Sequence, residues 1–159
     1  MAADAIARQY DVNRHLMTYS CEPGKGGYRP GLITFEAKTG KSIDIEKIRQ
    51  SITATRLSGG TNMSVDYFEI TATGETEKRD QELLFNVSGT GQLFVLGESP
   101  TAKGALQKLR DALSRGEKVE RVSGRIQGWS GRFPDVLRKQ ATALPTQHLL
   151  VTDFQTGKK

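Results

Sequence analysis

Three short runs of alternating apolar residues constrain the fold of this chain more than anything else in it. Phe68, Ile70 and Ala72 share one parity, as do Leu83, Phe85 and Val87, and again Val122, Gly124 and Ile126. A period of two places each trio on one face of a strand. With Gly89-Thr90-Gly91 as punctuation before a further strand over 92–96, the region predicts a meander of short strands. The chain has 159 residues, 36% of them apolar and 26% charged, which suits one compact domain or two small ones. Its longest apolar runs, 93–96 and 149–151, are strand-sized and far short of the ~20 residues a membrane helix needs.

Two helical patterns interrupt the strands. Ile45, Ile48 and Ile52 recur as one buried face, with Ser42 expected as the N-cap and Asp44 and Glu46 in the first turn. This predicts a helix over 43–57, ended by Gly59-Gly60. Ser99 followed by Pro100, with Leu106, Leu109 and Leu113 behind them, predicts a second over 100–115, closed by Gly116. Strands are expected at 14–21, 32–37, 66–72, 82–88, 92–96, 119–129 and 148–154. Residues 22–30, rich in Gly and Pro, read as a loop, 74–80 as a charged turn and 130–146 as irregular. The boundary between two units falls near Gly60 to Met63, giving 1–62 and 63–159.

Charge and sulfur narrow the chemistry. The net charge of +5 is unevenly spread: residues 1–60 carry +3, 61–100 carry −5 and 101–159 carry +7. Such polarity can steer an anionic partner toward the C-terminal third. A single cysteine, Cys21, excludes an internal disulfide and every zinc motif built on paired cysteines. Thr39-Gly40-Lys41-Ser42, between a strand and a helix, resembles the end of a phosphate-binding loop, but Phe35 stands where that motif requires glycine.

Two constellations remain. His15, Met17 and Cys21 share parity on the first strand, and thioether with thiolate suits a soft ion such as Cu(I). Cys21 lies roughly 20 Å from His15 along a straight strand, so only a bend or a partner molecule brings all three together. Arg121, Arg125 and Trp129 share a face of a later strand, with Arg132, Arg138 and Lys139 close behind. Guanidinium groups and one stacking ring are the elements of a nucleic-acid-binding face. The carboxylates Glu75, Glu77, Asp80 and Glu82 read as a solvated cluster instead of an acid–base pair.

Residues 32–57, with Leu32-Ile33-Thr34-Phe35-Glu36, the turn Lys38-Thr39-Gly40 and then Ser42 to Ile52, resemble the second half of a heavy-metal-associated domain. Cys21 corresponds to the first cysteine of that family's Cys-x-x-Cys, and Gly24 replaces the second. Residues 68–126 resemble the small β-barrel extension behind such domains in some bacterial proteins. The resemblance implies an α+β protein: a truncated ferredoxin-like unit followed by an OB-like antiparallel barrel with one helix. It also implies a non-enzymatic binding protein, metal-handling or descended from a metal-binding module, with a metal ion or another envelope protein as partner. The nucleic-acid-binding reading is the alternative. Met1-Ala2-Ala3-Asp4 is similar to the remnant of a trimmed leader, which favours the periplasm or envelope; without a leader, the cytoplasm is expected.

Overall fold

A computed structural model describes residues 6, 12–13, 17–21, 31–55, 60, 63–127 and 148–157. The chain divides into two compact units, Met1–Met63 and Ser64–Lys159.

In the first unit, β1 (Thr18–Cys21) and β2 (Gly31–Thr34) form an antiparallel ribbon that pairs Cys21 with Gly31. A bridge between Val12 and Ala37 extends it. Helix α1 (Ile45–Ala54) buries Ile45, Ile48 and Ile52, the predicted stripe. Its N-cap is Asp44, whose Oδ1 accepts the Lys47 amide at 3.0 Å, and not Ser42, two residues earlier. The helix stops at Ala54 because the hydroxyls of Thr53 and Thr55 turn back to the Gln50 and Ser51 carbonyls, at 3.0 and 2.9 Å, and Thr55 is extended. One turn from the start, the Arg49 guanidinium beside Glu46 holds that carboxyl below its ordinary range.

The second unit is a closed five-strand barrel. Its strands are β3 (Tyr67–Arg79), β4 (Glu82–Val87), β5 (Leu93–Glu98), β6 (Val119–Gln127) and β7 (His148–Thr156), in spatial order β3-β4-β5-β7-β6 and back to β3. Helix α2 (Ala105–Ser114) joins β5 to β6 and packs on β7, β5 and β6. The fold is therefore α+β with a barrel and a helix, as the resemblance implied. The interior is filled by Phe85, Val122, Ile126, Leu149 and Val151, none more than 1% exposed, together with Leu83, Phe94 and Leu96. Each such side chain contributes about 1.5–3 kcal/mol through removal from water.

Closure depends on one long strand. β3 pairs with β6 through Tyr67 to Thr73 and with β4 from Gly74 to Arg79, so a single strand serves both halves of the barrel. Gly74 sits at the changeover and is buried; a Cβ there would overlap the Asn86 carbonyl.

Four expectations are corrected. Residues 74–79 are strand, not turn, and only Asp80 and Gln81 make the hairpin, with Asp80 at φ 55°. Glu75 and Glu77 accordingly point outward from β3 in place of clustering in a loop. The barrel is not wholly antiparallel, because β5 and β7 run parallel. Helix α2 begins at Ala105 behind a left-handed Gly104, while Ser99 is 1% exposed and its Oγ accepts the Thr101 amide at 3.3 Å. Its buried stripe is Leu106, Leu109 and Ala112, with Leu113 only half-buried.

Candidate functional site

The outward faces of the barrel follow from strand register. β3 and β6 set Tyr67 opposite Gln127, Glu69 opposite Arg125, Thr71 opposite Ser123 and Thr73 opposite Arg121. Beyond β6, Ser123 meets Asp153 and Arg121 meets Gln155 on β7. One residue more on β7 than on β6 lies between the Gly124–Val151 and Ser123–Asp153 pairs. That extra residue, Thr152, is a β-bulge, and it turns Asp153 onto the face of Ser123.

On this face the two arginines differ. Arg125 lies with its guanidinium 4.2 Å from the centroid of the Tyr67 ring, and its Nε donates to Glu69 Oε2 at 3.3 Å. Its charge is already answered from across the strand pair. Arg121 is exposed, faces Thr73 and Gln155, and has no carboxylate partner among the described residues. Between them the Thr71 and Ser123 hydroxyls share a hydrogen bond of 2.8 Å. Lys118, just ahead of β6, pairs with Glu75 of β3 at 3.1 Å, and that carboxylate holds the ammonium above the ordinary lysine range.

These contacts dissolve the polarity of the sequence. The acidic stretch 61–100 supplies β3 and the basic stretch after 101 supplies β6, and antiparallel pairing lays one against the other. Compensation at Glu69–Arg125 and Glu75–Lys118 leaves less free positive charge on this face than the chain's segment charges imply.

A second face is apolar. Leu84, Val95 and His148 stand in register across β4, β5 and β7, flanked by Leu93 and Leu150. Leu93 is 42% exposed, whereas Leu84 is 4% exposed. The Nε2 atom of His148 is buried and has no hydrogen-bond partner among the described residues.

Where β5 ends and α2 begins, Ala102, Lys103, Ala105 and Lys108 close an open depression of about 200 Å³ against Thr152, Asp153 and Phe154 of β7. Sequence reasoning passed over Lys103 and Lys108. Their signal was the absence of any acidic residue in the first turn of α2, unusual where a helix dipole favours anions.

The remaining predicted site residues fall as follows. Cys21 ends β1 and Met17 precedes that strand, half-buried. His15, Trp129 and Arg132 lie outside the described residues. Among the described residues no three His, Cys, Asp or Glu side chains come together to hold an ion. No described helix is long and apolar enough to cross a membrane.

No family model matches the chain, and neither a curated protein nor a solved structure matches it.

Proposed function

We propose that the chain is a non-enzymatic binding module whose barrel is of the OB type and takes single-stranded nucleic acid on the outer face of β3, β6 and β7. Five strands closed in the order first, second, third, fifth, fourth, with a helix between third and fourth, support the OB reading. In such barrels the face of the second and third strands is a common ligand surface. Here those strands are β4 and β5, whose own outward positions include Leu84, Leu93 and Val95 and carry no cation. The β3–β6–β7 face supplies what is missing.

The observation that carries the reading is the Tyr67 ring, 40% exposed, held from one side by Arg125 on the same face as the uncompensated Arg121. A ring fixed in this way offers a stacking platform, and base–aromatic stacking contributes about 1–3 kcal/mol per base with little sequence preference. The test is fluorescence anisotropy with a labelled single-stranded oligonucleotide. Binding is expected to weaken steeply as salt rises, and Tyr67→Ala to cost about 1–3 kcal/mol of affinity. Absence of binding at low salt, or indifference to Tyr67→Ala, removes the proposal.

A further inference from the structure

Three cations on this side of the barrel have no acidic partner among the described residues: Arg121 on β6, and Lys103 and Lys108 beside the depression at the start of α2. They are not scattered. Asp153 lines the depression and is also in register with Ser123, whose next outward neighbour along β6 is Arg121. The bulge at Thr152 makes this continuity. Without the extra residue, the outward parity of β7 would put Thr152 where Asp153 now stands, and the surface leading from β6 to the helix would lose its present alignment.

Two carboxylates near this track are held in place by neutral amide donors. Glu98 accepts the Gly104 amide at 2.6 Å, and Asp111 accepts from the Gln107 side chain at 2.9 Å. Asp153 is the one carboxylate that lines the depression, against two ammonium groups. Among the residues that line the depression two ammonium groups stand against one carboxylate, while at Glu69–Arg125 one guanidinium stands against one carboxylate. An anionic chain stacked on Tyr67 therefore meets its electrostatic attraction further along, across β7, and not at the arginine nearest the ring.

Resting on the nucleic-acid reading, we infer that Lys103 and Lys108 form the phosphate-contacting end of the site, with Arg121 between them and the Tyr67 platform. The ligand is a flexible single-stranded backbone, recognised by charge and not by base edges, running diagonally from β3 over β6 and β7 to the start of α2. The open shape of the depression and the reach of two lysine side chains suit point-charge contacts to phosphate more than bidentate recognition.

The experiment measures the dependence of affinity on salt for the full chain with labelled oligothymidylate. Each phosphate contact to a single strand contributes about −0.7 to the slope of log K against log salt. Replacing both lysines, Lys103→Ala with Lys108→Ala, is expected to flatten that slope by about 1.4. Lys78→Ala, at the far end of β3, serves as a control for net charge and is expected to leave the slope as it was. A urea melt of each variant verifies folding. If the parent chain binds and the double variant keeps the parent's slope, the lysine site is refuted and the Tyr67 platform stands. If Lys78→Ala flattens the slope as much per charge, the effect is general and the lysine site is likewise refuted. If the parent chain does not bind at all, both proposals fall.

Discussion

Two stretches of the barrel's outer surface, a few residues apart, handle charge in opposite ways. Along β3 and β6 the side chains bear on one another: Glu69 on Arg125, Arg125 on Tyr67, Thr71 on Ser123. At the junction of β7 and α2, Lys103 and Lys108 project beside a depression with no acid paired to either among the described residues. The first arrangement stabilises the strand pairing and spends its charge internally. In the second arrangement neither lysine is paired with an acid among the described residues. Strand pairing, more than the order of charged residues along the chain, decides which cations remain free.

The contrast can be broken most severely at Gly74, which both halves of the barrel share. Gly74→Ala pushes β3 off the Asn86 carbonyl and is expected to cost about 1–3 kcal/mol or more, seen as a lower urea midpoint. If stability is unchanged, β3 is not the common strand described above. A smaller effect sharpens the comparison directly. Glu69→Gln removes the partner of Arg125, so the compensated stretch should begin to behave like the free one, with the oligonucleotide salt slope steepening by about 0.7. An unaltered slope means Arg125 is unavailable to a ligand for reasons other than that pairing. The smallest effect compares the two stretches in stability. Thr71→Val, which loses the 2.8 Å bond to Ser123, should cost about 0.5–1.5 kcal/mol, whereas Lys103→Ala should stay within about 0.5 kcal/mol of the parent. Equal costs would erase the distinction.

What could be read from the sequence is what periodicity encodes. Phe85, Val122, Ile126 and their parity mates line the barrel because alternation alone assigns them to one side. The second half of β3 reads as a loop because the half-buried Thr76 and the exposed Lys78 hold the positions opposite Phe85 and Leu83, so that apolar residues no longer mark a side. Ser99 has the composition of a helix cap but makes a turn of its own, which delays α2 by one helical turn. The parallel pairing of β5 with β7 leaves no trace in either strand, since partner choice is settled by closure of the whole. For the site, Arg121 and Arg125 look equivalent because they share parity. They differ only in what lies across the ladder, Thr73 for one and Glu69 for the other, and that is a property of register.

Of the five barrel strands, the one latest in the sequence closes the barrel. β7 lies between β5 and β6, so until β7 docks each of those strands has one unpaired edge. A partly folded barrel in which β7 is undocked thus offers two neighbouring edges to strand addition, and docking of this one strand seals both.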